Sequence, residues 1–551
     1  MTIEEAKSSG SDTDKYASKV TPQVDSASDT ESTLTGRRGT VKTIDCAFDT
    51  TEDPRYYKPI PEYEGAHRWD PDFEWTEEEE KAVVKKIDWR ICTFACITFF
   101  ALQLDRGNVV QATSDNMLDD LGMNTNDYNT GQTIFLVTFL AAELPSQLLS
   151  KWFGPDRWIP IQMVSWSLVA ACQAFVKNRS TYFVTRCLLG LLEGGFIPDT
   201  ILFLSFWYKS KELPIRLSYF WVAYQGTSIV SAFLAFGFLH IRDADGKGGW
   251  RYLFAFEGLI TGVIGIIAAF WMPPSPTQTK GRFRGKEGWF NEHEEKIMVN
   301  RVLRDDPSKG GMHNRQAVTP RMLWHALKDY DMWVIYIVGL TWMIPNTPAT
   351  SYISLQLKSL GFSTFHTNLL TIPSSVVFIL NLLAWTWISE KFNIRLLLGV
   401  GAELWALILL IALEVIPEGT SSWARWALLT LLIGMPYVHA IVVAITSRNA
   451  GTVRTRTVAT ALYNMSVQVS NIIGNNIYRE DDKPLYRTGN KVLIAIAAWS
   501  MVMYVIAWYY YEWRNKKNAA VWNNMDSEER ERYLAENSHR GNKRLDFRFL
   551  N

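Results

Sequence analysis

Two pairs of ionisable residues inside runs of apolar sequence are where chemistry is first to be sought. Asp105 and Arg106 fall in the outer half of one run, and Arg186 and Glu193 fall in another. An ionisable residue within a membrane span costs about 2.5–3.5 kcal/mol on insertion scales, so each demands a reason. Arg186 and Glu193 are seven residues apart. Seven helical steps come within about 20° of two full turns, so both face one side, about 10 Å apart in depth. Two guanidiniums keep their charge and can each grip a carboxylate or sulfonate through paired hydrogen bonds. Two carboxyls can take up and release protons. Protonated, they free the arginines for an anion; deprotonated, they compete with it. Asp105, Arg106, Arg186 and Glu193 are therefore expected to meet in one wet vestibule and run a proton-coupled cycle. The alternative is two static ion pairs joining two helices, a role poorly served by four buried charges.

Other polar residues could line the same cavity. Asn108 lies half a turn beyond Arg106, and Gln225 sits in a later apolar run. Asn464, Gln468, Asn471 and Asn475 recur at i, i+4, i+7 and i+11, a stripe that lines a cavity or bonds to a neighbouring helix. Asn108, Gln225, Asn464, Gln468 and Asn471 are taken with the two arginines as candidate substrate contacts, and Asp105 and Glu193 as candidate proton-coupling residues. Glu143 and Glu403 read as packing or gating carboxyls, and His439 as a satisfied interior histidine. The cysteines, Cys46, Cys92, Cys96, Cys172 and Cys187, show neither zinc-ligand spacing nor a place in an outside loop, so no metal and no structural disulfide is expected.

The elements that must position these residues follow from the hydropathy. The chain has 551 residues, equal numbers of acidic and basic side chains (56 each), and 48% apolar residues. Balanced charge gives no reason to expect nucleic-acid binding. The charge is concentrated in 1–88, 273–329 and 514–551, and the rest repeats apolar runs of about 18–25 residues, long enough to cross a ~30 Å hydrocarbon core. Helices are expected near 89–110, 130–151, 158–176, 181–208, 215–239 and 252–272, then near 331–356, 366–389, 394–416, 423–447, 457–478 and 490–513. The fold class is an all-α membrane protein with 12 transmembrane helices in two six-helix bundles. Pro345 and Pro348, Pro373 and Pro436 should interrupt the seventh, eighth and tenth helices.

The expected organisation is a disordered cytoplasmic tail (1–75), an amphipathic helix along the inner membrane surface (76–88), a first bundle (89–272), a cytoplasmic linker (273–330), a second bundle (331–513) and a tail (514–551). Thr76-Glu-Glu-Glu79 reads as a capping box. Loops assigned inside carry about twice the Lys and Arg of those assigned outside, so both termini are expected in the cytoplasm. No apolar leader precedes the polar N-terminus, so no cleaved signal is expected. The sequon at Asn178 sits in a loop too short to lift it clear of a membrane. Ser150-Lys-Trp-Phe-Gly-Pro-Asp-Arg157 and Ser389-Glu-Lys-Phe-Asn-Ile-Arg395 place charged turns at the same point of each six-helix unit, the internal duplication typical of secondary transporters.

From about Glu79 onward the chain resembles the fungal anion:cation symporters of the major facilitator superfamily, the allantoate-permease-like carriers. The resemblance rests on Lys86-Ile-Asp88, Leu104-Asp-Arg-Gly-Asn108, Glu143-Leu-Pro-Ser146, Gly154-Pro155 with Trp158, and the glycine-rich Arg186/Glu193 helix. It continues through Trp207-Tyr208 with Glu212 and Arg216, Gly249-Trp-Arg251 with Glu257-Gly258, Asn449-Ala-Gly451 with Arg454, and Gly541-Asn-Lys-Arg-Leu-Asp-Phe-Arg-Phe549. It implies the major facilitator fold and uptake of an anion with protons, with substrate binding and protonation carried by Asp105, Arg106, Arg186 and Glu193. The stretch Asn108-Val-Val-Gln-Ala112 departs from the Asn-rich continuation of many relatives, ending in Asn-Ala, and bears on substrate choice. The expected cargo is a vitamin-type carboxylate, a ureide or a sulfur oxyanion or sulfonate, moved by alternating access. The competing reading is a transporter-like nutrient sensor that binds an anion and signals without large net flux. No HExxH, GxSxG, Walker-A or dinucleotide fingerprint occurs, so an enzyme is not expected, nor any cofactor. The expected partners are the anion, protons and the lipid bilayer, with the chain monomeric. The plasma membrane is the expected location, with the endoplasmic reticulum the alternative.

Overall fold

The computed structural model describes residues 59, 61, 63–209, 212–241, 248–305, 324, 326–392, 394–417, 419–451, 453–537 and 542–551. Most of the expected N-terminal tail lies outside the described residues. Helices dominate what is described, and no β-strand occurs among the described residues. Nine of these helices are long and apolar enough to cross a membrane. The remaining three expected places hold helices that are broken or more polar. The site is positioned by α1 (Glu77–Ile87), α2 (Thr93–Ala112), α3 (Thr125–Phe153), α4 (Pro155–Cys172), α5 (Arg179–Glu193), α6 (Phe196–Ser205), α7 (Leu213–Phe238) and α8 (Gly249–Trp271).

Local sequence explains the ends of these helices. Asn124 accepts from the Asp127 backbone while Asp127 bonds back to the Asn124 backbone, a capping box that starts α3. Gly154 ends α3 at φ 86°, a conformation that side chains resist, and Pro155 opens α4, where its missing N–H is not needed. Asn178, the asparagine of the sequon, caps α5. That helix stops at Gly194 and Gly195, so Glu193 sits at a break between α5 and α6. At Gly190 and Gly194 an added Cβ would collide with the carbonyls of Phe135 and Phe139, so α5 lies backbone to backbone on α3.

In the second half, the expected seventh helix is two pieces, α10 (Trp333–Thr341) and α11 (Thr347–Ser359). The eighth begins as α12 (Thr364–Leu369) and resumes as α13 (Ile372–Phe392). The tenth is α15 (Ser422–Ile433) and α16 (His439–Asn449). Each interruption falls at the prolines noted in the sequence. Between and after them run α14 (Leu396–Val415), α17 (Val453–Asn475) and α18 (Arg487–Asn523), the last reaching beyond the expected end at 513.

The polar linker is not a plain connector. It contains α9 (Glu292–Asp305), whose Ile297 and Met298 share an apolar cluster with Val83 and Ile87 of α1. Arg301, buried, reaches Glu212 at 2.8 Å, Glu80 at 3.3 Å and the Trp207 carbonyl at 3.0 Å. Lys86 pairs with Glu294. The capped helix α1 therefore packs against the linker and runs on into α2 through one π-helical turn, Asp88–Cys92. The last ten residues dock as well. Asn449 exchanges two hydrogen bonds with the Leu550 backbone, and Phe549 stacks on Tyr511 at 5.1 Å.

Candidate anion site

Arg106 and Asp105 are neighbours in sequence and therefore about 100° apart around α2. Arg106 turns toward α5, where its Nε donates to Glu193 Oε2 at 2.9 Å. Asp105 turns toward α4 and accepts from Trp166 Nε1 at 3.1 Å. Asp105 is wholly buried, with Glu257 of α8 as an acidic neighbour and Ser231 of α7 reaching Glu257 at 3.5 Å. The four residues expected in one vestibule divide into three and one. Arg106, Glu193 and Arg186 come together; Asp105 stands behind them, within electrostatic range of Glu193 but bonded elsewhere.

Arg186 reaches the group from two turns earlier on α5. Its guanidinium lies 4.6 Å from the centre of the Phe135 ring, and that of Arg106 lies 5.7 Å from the same ring and 4.5 Å from Phe139. Aromatic faces attract cations without consuming their N–H groups, which leaves those groups free for an anion. Arg186 Nη2 donates to Gln132 Oε1 at 3.0 Å. Among the described residues, Arg106 Nη2, Arg186 Nε and Nη1, Glu193 Oε1 and both side-chain atoms of Asn108 are buried without a hydrogen-bond partner. Unpartnered buried donors are costly, so a cluster of them from two arginines is a cradle for a negatively charged group.

The other expected contacts separate. Gln225 is buried on α7. Asn464 and Gln468 are half-buried on α17. Asn471 Oδ1 is taken by the Thr347 hydroxyl at 3.1 Å and Asn475 Oδ1 by the Ser351 hydroxyl at 2.6 Å, so this lower part of the stripe ties α17 to α11. Of the two roles expected of the stripe, Asn471 and Asn475 show the bond to a neighbouring helix. His439 is enclosed by Trp221, Trp342, Tyr437 and Tyr463. Glu403 accepts from Ser500 at 3.0 Å, and Glu143 is buried. The Arg454 side chain lies outside the described residues. No group of three or more His, Cys, Asp or Glu is placed to hold a metal among the described residues, and Cys92, Cys96, Cys172 and Cys187 are free thiols.

Gln132, Phe135, Trp166 and Glu257 were not singled out by the residue chemistry alone. A signal existed for the first two: Tyr128, Gln132, Phe135 and Phe139 recur at i, i+4, i+7 and i+11, one face of α3.

The two halves are joined by hydrogen bonds at one end of the molecule. Thr125 N donates to Glu480 at 2.8 Å, Asn129 Nδ2 to the Tyr478 carbonyl at 2.7 Å, and Tyr128 OH to the Ser351 carbonyl at 3.2 Å. Ser114 is bonded by Thr364 and Asn368, and Lys358 pairs with Asn116. These bonds between the halves gather at this end and close it.

Nine described helices long and apolar enough to cross a membrane enclose a cluster of buried charges, and comparison with known proteins gives the class. Residues 95–475 match the family model of the Major Facilitator Superfamily. The chain is 46% identical over 489 residues, 89% of its own length and 90% of the relative's, to the uncharacterized transporter YIL166C of Saccharomyces cerevisiae. It is 26% identical to the uncharacterized transporter C1683.12 of Schizosaccharomyces pombe, over 78% of this chain and 86% of that one. Among solved structures, it resembles the xylose transporter XylE from E. coli in a partially occluded inward open conformation. The TM-score is 0.57 at 14% identity, covering 75% of this chain and 96% of that chain. A bacterial homolog of the human lysosomal transporter Spinster, inward-facing and occupied, gives a TM-score of 0.55 at 12% identity, covering 79% and 97%. The chain belongs to the Major Facilitator Superfamily and is a multi-pass membrane transporter of that type.

Proposed function

We propose that this transporter carries a small anion together with protons, as a fungal anion:cation symporter of the allantoate-permease-like group. The observation that carries the reading is the cradle itself: Arg106 and Arg186 beside one phenylalanine ring, with Arg106 held by Glu193 and guanidinium N–H groups left unpartnered. An anion entering the cradle competes with Glu193 for Arg106. A proton on Glu193 removes that competition, so anion and proton favour each other's binding. Asp105, beside Glu257, is the second acid of the cycle. The cargo is a vitamin-type carboxylate, a ureide or a sulfur oxyanion or sulfonate, and the membrane is the plasma membrane with both termini inside.

The test is uptake by purified protein in proteoliposomes, with a panel of labelled vitamins, ureides, sulfonates and thiosulfate, with and without an inward proton gradient. The expected result is accumulation of at least one anion above equilibrium, dependent on the gradient. Glu193→Gln should abolish that accumulation and leave anion exchange measurable. Gradient-independent uptake by the unmodified protein would remove proton coupling, and unchanged uphill uptake by Glu193→Gln would remove this residue from it.

A further inference from the structure

A continuous line of hydrogen bonds leaves the cradle and ends at the closed face between the halves. Arg186 Nη2 donates to Gln132 Oε1 at 3.0 Å. The amide at the other corner of the same side chain, Gln132 Nε2, donates to Tyr128 OH at 2.9 Å. The Tyr128 hydroxyl donates onward to the Ser351 carbonyl of α11, in the opposite half, at 3.2 Å. Arg186 and Tyr128 are buried, and Tyr128 also meets Tyr352 edge-on at 5.5 Å. Gln132 is one helical turn beyond Tyr128 on α3, so one rigid helix holds both middle members.

The direction of the line is fixed by donor and acceptor chemistry. A guanidinium only donates, so Gln132 must offer it the carbonyl corner. That turns the amide N–H₂ toward Tyr128, whose oxygen receives it and whose single proton is left for the Ser351 carbonyl. Bonds aligned this way polarise and strengthen one another. Conversely, drawing Arg186 away from Gln132 weakens the hold of Tyr128 on the other half.

We propose that Gln132 and Tyr128 are positioning residues that couple the occupancy of Arg186 to the closure between the two halves. The proposal takes the anion-binding reading of Arg186 for its purpose, but its geometry makes a claim that requires no substrate. Loss of the Arg186 contact loosens the closed end, and the loosening passes through Tyr128.

The test follows a buried reporter in detergent-purified protein, so that membrane orientation does not enter. The five native cysteines are replaced by alanine, and Thr125, which is wholly buried at the closed end, becomes the single thiol through Thr125→Cys. Its maleimide labelling rate reads opening. Tyr128→Phe and Arg186→Gln should each raise the rate about three-fold or more. Combined, they should raise it no further than either alone, the non-additivity expected of one chain. Gln132→Glu is the sharpest variant. It is nearly isosteric and still offers Arg186 an acceptor, but it has no N–H, so the one proton of Tyr128 turns to the carboxylate and Ser351 is released. It should label like Tyr128→Phe. A residue that merely fills space would tolerate Gln132→Glu, and labelling at the parent rate would overturn the relay. So would multiplicative effects of Arg186→Gln and Tyr128→Phe. Failure of anion uptake alone would instead strike the proposed cargo and leave these rates as stated.

Discussion

On the proposed reading Arg186 suits an anion because its fork is flat and its charge permanent, and both properties are already engaged in the structure: one corner on Gln132, one face over Phe135. A lysine keeps the charge but offers a point in place of a fork. Hydrogen bonds to charged groups contribute about 1.5–3 kcal/mol, so Arg186→Lys should raise the KM for the carried anion about 10- to 100-fold. Initial uptake rates across a concentration series would measure it, and a near-normal KM would assign Arg186 to structure. The sequence made this residue legible because a charge in an apolar run has no cheap explanation. It did not separate Asp105 from Arg106. Adjacent residues on a helix point apart, and only the rotation of α2 against α4 and α5 decides which neighbour each one meets. Glu257 was named only as part of a resemblance and given no role, for the complementary reason: its neighbour is an acid far off in the sequence, and no spacing along the chain announces that.

At the scale of elements, the sequence places the helices well, because a membrane admits few other backbones and prolines mark where they break. It left the helix within the charged connection unread. Read by composition, 273–330 is a linker; read by period, Ile297, Met298, Val302 and Leu303 form the apolar face of α9. That face locks α1 to the first bundle, and Arg301 is its central bond, buried between Glu212, Glu80 and the Trp207 carbonyl. Removing one partner of a buried ion pair costs about 3–5 kcal/mol, chiefly because the other charge is left unpaired. Arg301→Met keeps the length of the side chain and deletes the donors. It should lower the thermal unfolding midpoint in detergent by several degrees, while the combined variant with Glu212→Gln should recover part of the loss. A midpoint within the error of the parent would mean that α9 is held by its apolar face alone.

For the molecule as a whole, the question is whether the closed end opens during work. The bonds there join halves far apart in sequence, Ser114 with Thr364 and Asn368, Thr125 with Glu480, so no local pattern revealed which end would be shut. If the cradle is served alternately from two sides, this closure must break once in every cycle, and a bond that cannot break must stop transport. Ser114 and Asn368 are buried and bonded side chain to side chain at 3.1 Å, so cysteines at these two places would face each other across the seam. In the cysteine-replaced background, Ser114→Cys with Asn368→Cys should transport when reduced, lose at least nine-tenths of its uptake when oxidised, and recover on reduction. Each single variant should ignore the oxidant. Uptake that continues through the oxidised pair would mean that the halves move about some other axis, and that Tyr128 guards a seam that never parts.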